Sequence, residues 1–373
     1  MHIYMKLTYL IFCFLATLSL TSVAADRFKA KDDSLNELPQ IFYKSEDTLI
    51  RWIASGVRME LSRKNTPDFA ARVNQLEEQY GIPLSAALSY PQDQPSSTKV
   101  ERHQDVSRWL ALSDIHGQYE LFVELLHNHG VINEHLNWEF GNSHLIINGD
   151  IMDRGEGVTE ALWLVFKLQQ QADAAGGRVH YNMGNHELMV LDEDLRYIHE
   201  KYAAAAAALG ESYSAQFSED AFFGKWIRRQ SILFQINETG FVHAGISPEM
   251  ADRGLRPSEI NRLFTDSIFS QPKDDYRKSD LLSFLTTTNG PVWYRGYFND
   301  ESLSSSDIDV ILHWWGVQHI VVGHTSQRQI RSLFDGRIFA IDSSIKNGRT
   351  GEVLIFENGA FYRGLRDGQR VSF

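Results

Sequence analysis

Five times along this chain a short apolar run ends in a tight polar turn whose side chains could hold a cation. Trp109 to Leu112 lead into Ser113-Asp114-Ile115-His116-Gly117, and Leu145 to Ile147 into Gly149-Asp150-Ile151-Met152-Asp153-Arg154-Gly155. Val179 to Met183 lead into Gly184-Asn185-His186-Glu187, Phe241 and Val242 into His243-Ala244-Gly245, and Ile320 to Val322 into Gly323-His324-Thr325. Short apolar runs bounded by turn residues read as buried strands. After the first two, apolar residues recur at helical spacing: Leu121, Phe122, Leu125 and Leu126 before Gly130, then Val158, Leu162, Val165 and Phe166 before Gly176-Gly177. Strand, turn and helix in succession place polar groups at the C-terminal ends of strands, so the expected class is α/β.

The flanks read differently. Between residues 26 and 105 the chain is polar, and its clearest signal is a helix: Thr66 as N-cap, Pro67 at the first helical position, Phe69, Val73, Leu76 and Tyr80 on one face, and Gly81 closing it. This region is expected to be a helical extension with a linker, ahead of a catalytic domain over 106–373. Residues 188–235, with the run Ala203 to Ala208, are expected to form a helical insertion near the rim of the site. Towards the end, Val353 to Phe356, Asn358-Gly359 and Phe361-Tyr362 predict a hairpin.

At the start, Lys6 precedes an apolar run from Leu7 to Leu20, and Val23-Ala24-Ala25 offers small residues ahead of Asp26. This pattern predicts a secretory signal peptide over residues 1–25, and hence a secreted or periplasmic protein. No later segment approaches the roughly 20 apolar residues of a membrane span. The single cysteine, Cys13, lies within that leader, so the mature chain would have no disulfide. Removing the leader takes one lysine from 36 basic residues and leaves 35 against 48 acidic ones, a formal charge of −13. Without a basic stripe, such a chain repels nucleic-acid backbones.

Asp114, His116, Asp150, Asn185, His243 and His324 together form a donor set of nitrogen and oxygen without thiolate, which suits Mn, Fe or Zn. Six donors are too many for one tetrahedral ion. They suit two divalent ions about 3.5–4 Å apart, the arrangement that hydrolyses phosphate esters.

The motifs Asp-x-His-Gly, Gly-Asp-x-x-Asp-Arg-Gly, Gly-Asn-His-Glu, His-x-Gly and Gly-His, in this order, resemble the calcineurin-like metallophosphoesterases and their phosphoprotein phosphatase branch. The stretches Met189 to Tyr197 and Pro291-Val292-Trp293-Tyr294-Arg295-Gly296-Tyr297 are similar to the bacterial Shewanella-like protein phosphatases. The resemblance covers roughly residues 106–345. It implies a central β-sandwich flanked by helices, with Asp114, His116 and His324 on one metal, Asp150 bridging, and Asn185 and His243 on the other. It further implies Arg154 and Arg295 as phosphate ligands, and His186 as the acid that protonates the leaving oxygen, oriented by Asp153. Ser113 stands where the family usually has glycine. The implied reaction is in-line attack of a metal-activated hydroxide on a phosphomonoester. Its substrate would be a phosphorylated protein, on phosphotyrosine and phosphoserine or phosphothreonine; the alternative is a small phosphate compound such as a dinucleotide, nucleotide or sugar phosphate.

Overall fold

The computed structural model describes residues 34–91 and 102–373. The leader predicted over residues 1–25 lies outside the described residues. Three strands open the described chain: β1 (Glu37–Lys44), β2 (Asp47–Ala54) and β3 (Val57–Ser62). They pair as an antiparallel meander. Two helices follow, α1 (Phe69–Tyr80) and α2 (Leu84–Leu88). The expectation of a helical extension therefore needs correction, because strands precede the helices. Sequence reasoning missed them because β1 buries five of its eight positions and exposes one, and so lacks the alternation that marks a half-exposed strand. Helix α1 itself lies where its apolar face predicts, with Gly81 as left-handed C-cap. Its start is two residues later than the motif suggests: Asp68, at φ 56°, is the N-cap, so Pro67 precedes the helix.

The body is built from two six-stranded mixed sheets. One contains β4 (Arg102–His103), β8 (Leu233–Ile236), β9 (Thr239–Val242), β10 (His319–Val322), β11 (Arg331–Leu333) and β12 (Ile338–Ala340), in the order β11-β12-β10-β9-β8-β4. The other contains β5 (Arg108–Leu112), β6 (His144–Ile147), β7 (Arg178–Tyr181), β13 (Glu352–Glu357), β14 (Ala360–Leu365) and β15 (Arg370–Ser372), in the order β15-β14-β13-β5-β6-β7. The centres are parallel: β5 with β6 and β6 with β7 in one sheet, β9 with β10 and β10 with β12 in the other. Four of the five polar turns therefore leave central strands, β5, β6, β9 and β10, and the third leaves β7 at the end of its sheet. The hairpin joining β13 and β14 turns at Asn358 and Gly359, both at positive φ as a type I′ turn requires.

Side-chain alternation makes the layers. Trp109 and Ala111 of β5, Ile146 of β6 and Val321 of β10 point between the sheets, where Phe234, Phe241, Phe339 and Leu354 meet them. The intervening Leu110, Leu112, Leu145, Ile147, Ile320 and Val322 point outward. There they pack beneath α3 (Tyr119–Asn128) and α4 (Val158–Ala174) and the other flanking helices. Both faces of these strands are buried, which is why they read as continuous apolar runs. Trp109 anchors the interlayer, with its ring 5.1 Å from Phe241 edge-on and 5.4 Å from Phe356 stacked.

Between β7 and β8 lie α5 (Asn185–Leu191), α6 (Glu200–Leu209) and α7 (Phe222–Ile227). The alanine run belongs to α6, and the small side chains of Ala205 and Ala208 let Ile53 of β2 pack closely. The N-terminal meander is thus fixed to the body by apolar contact and by polar bonds. Trp163 Nε1 donates to the Pro39 carbonyl at 3.0 Å, and Gln40 donates to Gln216 at 2.7 Å.

Glu37, 2% exposed, sits at the centre of this junction, accepting from the Thr159 hydroxyl and lying 3.4 Å from Lys201 Nζ. Burial pushes its carboxyl up to about 7, against the Lys201 ammonium. That is above the roughly 4.3 of an unfolded chain, so the folded protein holds the proton more tightly. Its stabilising share is full near pH 4 and is lost as pH rises towards 7. Wild type should accordingly lose stability relative to Glu37→Gln, by at most about 3 kcal/mol, between about pH 4.5 and pH 7.5 in urea melts. A wild type that gains on the variant over this range would mean that the carboxylate is the favoured form.

Candidate active site

The turns that follow β5, β6 and β10 hold their residues in left-handed backbone. Asp114, His116, Asp150, Asp153, Arg154 and His324 have φ between 48° and 70°. For non-glycine residues this costs on the order of 1 kcal/mol or more each and persists only where the surroundings enforce it. They do so here through hydrogen bonds between turns: His116 N to Asp150 O at 2.9 Å, Gly117 N to Ile151 O at 3.0 Å, and Gly155 N to His116 O at 2.9 Å.

Glu187 is the chief organiser, and sequence reasoning gave it no role in the site. It is fully buried, and its carboxylate accepts from the backbone N–H groups of Asp150 and Gly184 through Oε2, and of Ile151 and Met152 through Oε1, at 2.8–3.2 Å. Its place next to His186 in the third turn was the available signal. Gly184 is required by close approach, since a Cβ there would collide with the Asp150 carboxylate and the Glu187 side chain.

Asp150 is the junction. Its Oδ2 lies 3.4 Å from His243 Nε2, 3.5 Å from His116 Nε2 and 3.9 Å from His186 Nε2, while its Oδ1 accepts from the His186 N–H at 3.0 Å. Each imidazole is oriented from behind. His116 Nδ1 donates to Met152 O at 2.7 Å and His243 Nδ1 to Asn148 O at 2.8 Å, so Nε2 of each faces the site. Asn185 Oδ1 lies 3.1 Å from His243 Nε2. Asp114 Oδ1 stands 3.9 Å from His116 Nε2, and its Oδ2 is held by the Ser113 hydroxyl and the His324 N–H. The serine that replaces the family's usual glycine is thus a positioning group for Asp114.

All six candidate metal ligands come together. Two groups have donor atoms within 4.8 Å of one another: His116, Asp150 and His186, and Asp150, His243 and His324. Asp150 is common to both. By donor-atom distance His324 thus groups with Asp150 and His243, whereas the expected partition set it beside Asp114 and His116. Strands β9 and β10 are neighbours, so the turns after them bring His243 and His324 side by side, with ring centroids 5.2 Å apart. His186 enters the first group only through Nε2, because Nδ1 is bonded to Asp153 Oδ2 at 2.5 Å.

Charge is unbalanced without cations. Burial raises Asp114 well above the usual carboxylate range, and Asp342 and Asp150 add to it. Burial also opposes ionisation of Asp150, but the surrounding imidazoles outweigh it and hold that carboxyl far down. His243 is pushed up to about 10, the Asp150 and Asp114 charges outweighing burial. Burial drives His116 down to about 3 and His324 well below the imidazole range. His324 Nε2 is buried with no hydrogen-bond partner among the described residues. An orphaned imidazole nitrogen, neutral imidazoles and crowded carboxylates are the environment that divalent cations satisfy, so the residues fit such ions.

Arg154, exposed on the second turn, has its guanidinium 5.0 Å from the Tyr197 ring. Arg295 is also at the rim, donating from Nη1 to His324 O and Thr325 Oγ1, both at 3.1 Å. Asp342, fully buried, accepts from the Ser326 hydroxyl, and its charge adds to the upward shift of Asp114. Sequence reasoning gave it no part in the site.

A mixed sandwich with carboxylate, imidazole and amide donors gathered at its strand ends defines a metal-dependent phosphoester hydrolase. Residues 107–328 match the calcineurin-like phosphoesterase family. Among curated relatives, Shewanella-like protein phosphatase 2 of Arabidopsis thaliana is 33% identical over 312 residues, covering 70% of this chain and 78% of that protein. An uncharacterised protein of Schizosaccharomyces pombe is 29% identical, covering 65% and 74%. Among solved structures, the cold-active protein-tyrosine phosphatase of a psychrophilic Shewanella species is 36% identical, covering 90% of this chain and 99% of that one with a TM-score of 0.78. The chain belongs to the calcineurin-like phosphoesterases, in their Shewanella-like protein phosphatase branch, and is a phosphatase. Members of this family use binuclear divalent metal centres.

Proposed function

We propose that the enzyme removes phosphate from tyrosine side chains of proteins, and more slowly from serine and threonine. The Asp150 carboxylate, with three imidazole nitrogens within 3.9 Å and a fourth histidine grouped with it, carries the hydrolytic part of this reading, and the similarity to the cold-active protein-tyrosine phosphatase supports the substrate. Asp114, His116 and Asp150 would hold one divalent ion, and Asp150, Asn185, His243 and His324 the second, with Mn, Fe or Zn the ions that suit these donors. Such ions, when bound, lower the pKa of water towards neutrality and offset the charge of the substrate phosphate.

The chain's own residues supply the rest. Arg154 and Arg295 hold the phosphate through charge-assisted hydrogen bonds. His186 donates a proton from Nε2 to the leaving oxygen, and Asp153 accepts from Nδ1 and fixes the tautomer. Burial opposes protonation of His186, but Asp150 and Asp153 outweigh it and keep the acid form available at higher pH. Glu187 keeps the Asp150 turn in its strained shape.

The leader reading of residues 1–25 supports a secreted or periplasmic site of action. Among the described residues no helix is long and apolar enough to cross a membrane. A panel of phosphotyrosine and phosphoserine peptides, nucleotides, dinucleotides and sugar phosphates tests the substrate. The phosphotyrosine peptide should lead by at least about tenfold in kcat/KM, a transition-state difference of about 1.4 kcal/mol. A nucleotide or sugar phosphate in first place would overturn the protein substrate.

A further inference from the structure

We infer that Tyr197 is a substrate-binding residue that selects aryl over alkyl leaving groups, by stacking against the ring attached to the leaving oxygen. The inference rests on the placement of phosphate by Arg154 and of the leaving oxygen by His186 in the reading above. Tyr197 lies on the loop between α5 and α6 and is one of four large hydrophobic side chains left exposed among the described residues, at 41%. The ring borders the site on two sides. Its centroid is 5.4 Å from that of His186 and 5.0 Å from the Arg154 guanidinium carbon.

The ring is held in place. The Tyr197 carbonyl accepts from the Arg154 N–H at 2.8 Å, tying the loop to the turn that carries the phosphate-binding arginine. The Arg196 guanidinium lies 5.7 Å from the Tyr197 centroid and is itself fixed by paired bonds to Asp194 at 2.8 and 2.5 Å. With phosphate at Arg154 and the leaving oxygen at His186, the carbon bonded to that oxygen falls beside the Tyr197 ring. In an aryl ester that carbon belongs to a flat ring, which reaches the 4.5–7 Å centroid spacing of aromatic pairs. An alkyl ester presents a methylene group there and gains much less.

Phenyl phosphate and glycerol phosphate, assayed with wild type, Tyr197→Ala and Tyr197→Phe, test this. Tyr197→Ala should lose about three- to tenfold more kcat/KM on phenyl phosphate than on glycerol phosphate, with the difference in KM, and Tyr197→Phe should restore most of it. Equal losses on both esters would overturn the inference, as would a matching loss of inhibition by inorganic phosphate, because either would mean that Tyr197 only supports Arg154. If wild type rejects phosphopeptides but its aryl preference vanishes in Tyr197→Ala, the inference stands and the protein substrate falls.

Discussion

Replacing His186 with asparagine should slow hydrolysis of a phosphoserine peptide by about 10²–10⁴-fold, the usual worth of a positioned general acid, and slow nitrophenyl phosphate far less. An alkoxide cannot leave without a proton, whereas a nitrophenolate can. Asparagine keeps the backbone N–H that donates to Asp150 Oδ1 at 3.0 Å, so the turn should stay in place. What disappears is the proton on Nε2 and the 2.5 Å bond from Nδ1 to Asp153. The comparison is therefore specific to proton donation. Equal losses on the two substrates would remove His186 from the role of acid.

Asp150→Asn should have the broader effect, because it strikes both halves of the site at once. Asp150 Oδ2 is the one atom within reach of His116, His186 and His243, and its carboxylate belongs to both donor groups. Asparagine is isosteric and can still accept from the His186 N–H, but it brings no negative charge to a centre meant for two cations. Residues merely behind metal ligands are typically worth 10–100-fold, so loss of the shared ligand should exceed about 10²-fold in kcat/KM on every substrate, aryl or alkyl. The substrate independence separates this loss from that of His186→Asn.

Much of this site was legible because its chemistry is local. Asp114, His116, Asp150, Asn185, His243 and His324 each follow a short apolar strand directly, and a strand end fixes where its turn points. Pairing between those strands is not local, and there the reading failed. Nothing in the run from Phe241 to Gly245 says that it lies beside Ile320 to His324, so the grouping of His324 with His243 was not foreseen. Supporting residues were equally hidden. Glu187 acts through buried bonds to a turn 35 to 37 residues earlier, and a carboxylate that accepts backbone N–H groups has no signature of its own. The N-terminal meander was missed because β1 has almost no exposed face and carries buried Glu37 and Gln40 where a strand pattern would want apolar residues. The edge strands β4, β11 and β15 are only two or three residues long.

Stripping the purified enzyme with chelator and titrating it back with Mn²⁺ tests the central claim most directly, with bound metal and phosphotyrosine-peptide hydrolysis followed together. The account predicts two ions per chain, activity that returns only as the second is taken up, and neither full loading nor recovery in Asp150→Asn. Full activity in metal-stripped wild type, or two tightly held ions and undiminished hydrolysis in Asp150→Asn, would contradict it.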